Sequence, residues 1–447
     1  MDVKSDDQPN IRKAVAALWK LPPPGPKNLF YAPEFVQLSA ACEKLYPNAT
    51  SVSKLPFALG NALRTLGLPC GLAPNDAQLA MSPDDAAFQL DAGFRQTQST
   101  RVHLCPLDCA ADLPPLSFGQ NCIRRMSVTE LETLVNPKRL RRTNSAWKFD
   151  AELFSEFTWL IVKEFVPLNS DPNARAVPVL FTPFDRDYGA IEPHPKLFVP
   201  SVETALFALL LAPWEDWVEY CDIDWRGFRV PWIYTVDDDL FRRPGLPPSP
   251  ETLSWEPHFV TDQYGEEIEI EWPTRLPLRD NSIEASVWLN HKACSEVIRA
   301  QQSSLFETPI AHFLVSAFLS KGIDEFLAHI TVIEAALGLH IDYKRPKLPN
   351  GKRPSATERV AIRLSTLLGD SATTAEFLRL YDARSKFLHG RTMSTISGQD
   401  RLLARRLARR VVVALIKVAL AIPPPICREG YLNSLLVEAP TKASGLE

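Results

Sequence analysis

Apolar residues recur at helical spacing over five stretches toward the C-terminus, at 309–320, 323–338, 356–369, 373–389 and 399–421. In 323–338 the apolar face is Ile323, Phe326, Leu327, Ile330, Ile333 and Leu337. One acid interrupts that face: Glu334, at i+7 from Leu327 and i+4 from Ile330. Short turns join the stretches, except for a polar loop over 340–355. Gly322 with Asp324 separates the first two, Gly369 with Asp370 ends the third, and Gly390 follows His389 as a left-handed C-terminal residue would. The pattern predicts an all-α helical bundle.

Upstream the pattern breaks into shorter pieces. Ser82, Pro83, Asp84 and Asp85 are a good helix start, with a capping serine, a proline in the first turn and two acids. Ser127 and Glu130 form a capping box before Leu131 and Leu134. Runs rich in β-branched and aromatic residues at 154–166, 177–181 and 228–236 predict strands, and 259–260 with 267–272 predict a hairpin around Tyr264 and Gly265. Helices are expected at 201–212 and 283–303, and proline-rich loops at 21–26 and 244–250. The fold class is therefore an α+β N-terminal part, whose fold the pattern does not define, followed by the bundle. The expected divisions are 1–145, a Trp- and Pro-rich region 146–308, the bundle 309–421, and a tail 422–447.

Composition sharpens the boundary near Pro309. All ten tryptophans precede it, and 309–420 holds 18 Lys and Arg against 9 Asp and Glu although the whole 447-residue chain is at −4. The start lacks the basic-then-apolar order of a signal peptide, and the longest apolar run, 411–422, is interrupted by Lys417; a cytoplasmic protein with no membrane partner is expected. Eight cysteines without a CxxC pair suit reduced thiols. His103, Cys105, Cys109 and Cys122 lack a second tight pair, so neither a metal nor another cofactor is expected. No phosphate-binding glycine loop, G-x-S-x-G elbow or HExxH is present, which leaves NTPase, serine hydrolase and metalloprotease readings without support. The run Asp237, Asp238 and Asp239 is expected as an exposed loop.

Chemistry concentrates at one helix end. Phe377, Leu380, Tyr381 and Leu388 make a stripe that should face the core, and Arg384 falls inside it. An unpaired buried guanidinium costs several kcal/mol, so it needs Glu334, Asp382, a second chain or a phosphate. The final helix carries Arg401, Arg405, Arg406, Arg409 and Arg410 opposite Leu403, Leu407, Val411, Ala414 and Val418. Like charges at i,i+4 repel by a few tenths of a kcal/mol, and the crowding calls for an anionic partner. RNA and the chain's own acids, such as Asp237 to Asp239 or those at 266–271, are equal candidates.

An apolar helix with an internal glutamate comes first, then a helix with Glu358, Arg359 and Arg363, then Tyr381, Arg384, Ser385, His389 and Gly390, then a last helix. This order resembles the HEPN superfamily, specifically its ApeA-like branch, over about 309–421. The resemblance implies a helical bundle that pairs as a homodimer and acts as a metal-independent ribonuclease of a microbial defence or stress system. Arg384, Ser385 and His389 match the family motif of an arginine, a polar residue and a histidine. In such a site His389 moves protons, Arg384 clamps the phosphate with its planar fork, and Ser385 orients the imidazole. Glu334, Tyr381, Lys386 and Arg391 support the site, and Arg401, Arg405 and Arg409 are the expected RNA contacts if the arginine ridge meets RNA rather than the chain's own acids. Residues i and i+5 lie roughly 140° apart around a helix, so Arg384 and His389 converge only when two copies face each other. The larger N-terminal part then holds or triggers the nuclease. The alternative is a non-catalytic interaction or nucleotide-binding module in which Arg384 is structural.

Overall fold

The computed structural model describes residues 8–47, 56–145, 147–178, 198–261, 263–279, 287–348, 351–390 and 395–442. The chain is mixed α/β and falls into two compact units. The first comprises Met1–Pro106, Arg125–Ala190 and Val230–Pro273, and the second Leu107–Arg124, Ile191–Arg229 and Thr274–Glu447. Neither unit is one continuous stretch, although the sequence pattern suggested divisions at 145, 308 and 421. No helix among the described residues is long and apolar enough to cross a membrane.

In the first unit, helices Gln8–Leu18, Pro33–Leu45, Pro56–Leu66 and Pro83–Arg95 share one core. Each contributes an i, i+3 or i+4 stripe: Ile11, Val15 and Leu18; Phe35, Leu38 and Cys42; Leu59, Leu63 and Leu66; Ala86, Ala87 and Leu90. Ser82 caps the fourth helix by accepting the Asp85 amide, and Ser127 with Glu130 closes the expected capping box. Strand Gln98–Pro106 lies antiparallel between Thr158–Pro167 and Tyr234–Asp237, with Leu104 opposite both Ile161 and Tyr234. The expected hairpin forms from Trp255–Thr261 and Glu267–Pro273.

Other predicted strands shrink. The one placed at 154–166 starts at Thr158, because Asp150 caps a short helix Ala151–Ser155 in front of it. The one placed at 228–236 is regular only from Tyr234, after Pro231. Val177 ends a helix Pro172–Ala176 rather than starting a strand, and the remainder of 177–181 is outside the described residues apart from Pro178. Of the three aspartates expected as an exposed loop, only Asp238 is exposed. Asp239 is fully buried on Arg175 (2.5 and 3.0 Å), and Asp237 accepts from Ser99 (2.5 Å), Arg101 and Arg242 (both 2.9 Å). Burial would raise the Asp237 carboxyl, but the Ser99 hydroxyl, the Asp239 amide and the two arginines outweigh it and bring it to about 2.

The second unit holds the bundle. Ile310–Leu319, Ile323–Leu337, Ala356–Leu368, Ala372–Leu388 and Gly398–Ala419 match the predicted stretches to within two residues. Gly322, Gly369 and Gly390 take positive φ at the three predicted breaks. Ile323–Leu337 packs between Ile310–Leu319 and Gly398–Ala419, burying Phe326, Ile330, Ile333, Leu407, Val411 and Leu415. Helices Pro200–Leu210 and His291–Ala300 pack onto the bundle; the latter is the described part of the helix expected at 283–303, since 280–286 are outside the described residues. The segment 422–447 is not a simple tail, because Arg428–Lys442 is a helix against Ala356–Leu368 that buries Leu432, Leu435 and Leu436.

Candidate functional site

The predicted motif lies on the last turns of Ala372–Leu388. Phe377 and Leu380 are buried, as the stripe requires, and they hold this helix against the bundle. Arg384 is half-buried, with Nη2 3.3 Å from Glu334 Oε2 and its guanidinium 5.3 Å above the Tyr381 ring. The carboxylate is therefore its partner; Asp382 instead pairs with Lys386 at 2.7 Å on an exposed surface, where such a pair adds little. Burial pushes the Glu334 carboxyl above its ordinary range, and Arg384 pulls it part of the way back.

Leu388 departs from the expected stripe. It is 51% exposed and Phe387 41%, because the last turn runs past the helices that cover Phe377 and Leu380. His389 caps the helix, donating its amide to the Ser385 carbonyl at 3.0 Å, and its ring is exposed without a partner among the described residues. Ser385 thus reaches His389 through its backbone. Gly390 follows with φ +61°, and Arg391 is outside the described residues. The helix end combines a half-buried cation, an open imidazole and two exposed apolar side chains.

The arginines of Gly398–Ala419 lie elsewhere. Arg405 is fully buried, Arg409 nearly so, and both hold Glu215: Arg405 Nε reaches Oε2 at 3.2 Å and Arg409 Nε reaches Oε1 at 2.6 Å. Arg405 also donates to the carbonyls of Leu210 (2.5 Å) and Ala212 (3.2 Å), and stacks 4.2 Å from the Trp225 ring. Asp216 takes Arg406 (2.9 Å) and Arg409 (3.3 Å), Asp370 takes Arg410 (3.1 Å), and Glu325 takes Arg401 (3.5 Å). The RNA-binding assignment of Arg405 and Arg409 is corrected: a buried, paired guanidinium offers no phosphate its fork, and Arg401 is half-buried on Glu325. The anionic partner is the chain itself, but through Glu215, Asp216 and Glu325 rather than Asp237 to Asp239 or the exposed hairpin acids. Burial raises the Glu215 carboxyl, and Arg405 and Arg409 more than reverse that, leaving it ionised.

This cluster was not singled out in the sequence. Glu325 also accepts the Trp225 indole N–H at 2.9 Å and Arg226 at 3.1 Å, while Arg226 donates to the carbonyls of Phe318, Ala317 and Ser320. His329 lies against Trp225, fully buried, with neither ring nitrogen partnered among the described residues; burial first, then Arg405, Arg226 and Arg401, keep it neutral. A second missed arginine is Arg363, fully buried on Asp342 at 2.5 and 2.9 Å. The acids Glu215 and Asp216, flanked by Trp214 and Trp217, were the available signal, since acids in so apolar a run need counter-charges. Of the Cys/His residues in the first unit, His103 meets Thr235 (2.8 Å) and Glu164 (3.2 Å), and Cys105 is a buried thiol.

No family model matches the chain, and no curated protein or solved structure is significantly similar to it.

Proposed function

We propose that the helical unit is a HEPN-type, metal-independent endoribonuclease of a microbial defence or stress system that works as a homodimer. The observation that carries the reading is the helix end itself, with an exposed His389, unpartnered among the described residues, five residues after a cation held by Glu334 and next to exposed Phe387 and Leu388. Apolar side chains around two polar functional groups suit a surface covered by a second copy. Across a twofold axis, one His389 takes the proton of the RNA 2′-hydroxyl as its oxygen bonds to phosphorus. The second His389 protonates the 5′-oxygen as the P–O5′ bond breaks. The Nε and Nη1 donors of Arg384, which Glu334 does not take, bind the phosphate oxygens as charge develops there. The products are a 2′,3′-cyclic phosphate and a 5′-hydroxyl.

The Glu334 pair favours a second reading, in which Arg384 only holds two helices together in a non-catalytic interaction module. Wild type and His389→Ala, incubated with total RNA in EDTA and analysed for end chemistry, separate the two. The nuclease reading expects cyclic-phosphate ends from wild type and a loss of about 100-fold or more in His389→Ala. Equal cleavage by both, or none by either, overturns it.

A further inference from the structure

Next to the Glu334–Arg384 pair is a cavity of about 270 Å³ lined by Glu334, Gly338, His340, Tyr343, Thr357 and Tyr381. Four elements build it: the end of Ile323–Leu337, the 3-10 turn His340–Lys344, the start of Ala356–Leu368, and the motif helix. The turn is held firmly, because Asp342 accepts the Leu339 amide at 2.9 Å and the buried fork of Arg363. Ser355 and Glu358 cap the helix that carries Thr357. The volume lies just under the usual range for ligand pockets, room for one planar base and not for a larger cofactor.

The walls and the polar groups set the chemistry. Two tyrosines line it: Tyr343, 80% exposed and paired with His340 at 6.3 Å, and Tyr381, paired with Phe377 at 6.0 Å. Aromatic walls of this kind take the π-face of an unstacked nucleobase, the usual way in which single-stranded RNA is read. The Asp342 carboxylate at the cavity is occupied by Arg363. Glu334 is not: Arg384 takes Oε2, and Oε1 has no partner among the described residues. A carboxylate accepts hydrogen bonds and donates none, and guanine alone among the four RNA bases presents two adjacent donors, N1–H and N2–H, on its pairing edge.

We propose that this cavity binds a guanine of single-stranded RNA, stacked between Tyr343 and Tyr381 with its pairing edge on Glu334, so that Arg384 clamps the adjoining phosphate. The proposal rests on the ribonuclease reading for the purpose of the site, not for its binding chemistry. The half-buried Glu334 carboxyl is displaced upward by burial, and two N–H donors would favour its ionised form. Arg384, 5.3 Å above the same Tyr381 ring that walls the cavity, puts the cation within one nucleotide of the base.

Calorimetric titration of the full chain with 3′-GMP, 3′-AMP, 3′-CMP and 3′-UMP tests the site without any cleavage. Wild type should bind 3′-GMP at least about tenfold more tightly than the other three. Tyr343→Ala removes one wall and Thr357→Trp fills the space, and each should weaken 3′-GMP by about 5- to 100-fold with an unchanged circular dichroism spectrum. Equal affinity for all four nucleotides, no binding of any, or unchanged 3′-GMP binding in both folded variants overturns the assignment. Should 3′-GMP bind as described while RNA stays uncut, the nuclease reading falls and the pocket stands. Should RNA be cut without regard to guanosine, and equally by Thr357→Trp, the pocket falls and the nuclease stands.

Discussion

Replacing Glu215 by alanine removes the carboxylate that meets both Arg405 and Arg409, at a site that is 1% exposed. Breaking a buried ion pair from one side costs about 3–5 kcal/mol, since the surviving charge stays in a poorly solvating environment. Arg409 would keep Asp216, and Arg405 would keep the Leu210 and Ala212 carbonyls, so the lower end, about 3 kcal/mol, is expected. At about 2–4 °C per kcal/mol for a unit of this size, the melting temperature should fall by about 6–12 °C. Arg406→Ala is the control on the same helix: its pair with Asp216 is 42% and 43% exposed and should change stability by about 1 kcal/mol or less. Scanning calorimetry on both variants reads the contrast. Equal shifts in the two would refute the view that the arginine helix is anchored through Glu215. The pair of replacements Glu215→Leu with Arg405→Met should recover much of the loss, because an apolar pair of similar volume removes the need for counter-charge.

Two further outcomes follow from buried groups in the same unit. His329 is held neutral when folded but takes up a proton near pH 6.5 when unfolded, so its contribution is full above that pH and drains away as the pH falls. Urea midpoints between about pH 5 and about pH 8 should therefore drop on the acid side in wild type, and His329→Leu should flatten that part of the slope; an unchanged slope would exclude His329 as its source. At Gly227 an added Cβ would meet the Trp214 ring at 2.2 Å, and that ring is wedged against Trp217 and Phe228. Gly227→Ala should cost about 1–3 kcal/mol by urea denaturation, whereas Gly245→Ala, with nothing within 4 Å, should be neutral; comparable effects would contradict the packing described.

The bundle helices were legible because their apolar stripes are long and each break carries a glycine or a cap, as at Gly322, Gly369 and Ser397. Strands were less so: the hairpin of Trp255–Thr261 and Glu267–Pro273 was expected, but a short run such as 228–236 shares its composition with loops and caps, and the pairing that makes Gln98–Pro106 a strand comes from residues some fifty positions or more away. At the helix end, periodicity correctly turned Phe377 and Leu380 inward and Arg384 toward Glu334. It was silent on how far the neighbouring helices extend, and so Leu388 was misplaced. The need for a counter-charge is not equal along the bundle: Arg384 is half-buried, whereas Arg363 and Arg405 are wholly buried. Their acids, Asp342 and Glu215, are 21 and 190 residues away, and the second distance is beyond anything local spacing can register.

Because Glu215, Trp225 and Arg226 come from the segment Ile191–Arg229, the helical unit has no clean cut point at its basic stretch. A truncated fragment beginning near residue 309 would keep Arg405, Arg409 and Glu325 and lose the groups that neutralise and roof them. Dissection of this protein therefore has to retain a stretch that looks, on a linear map, as though it belonged to something else.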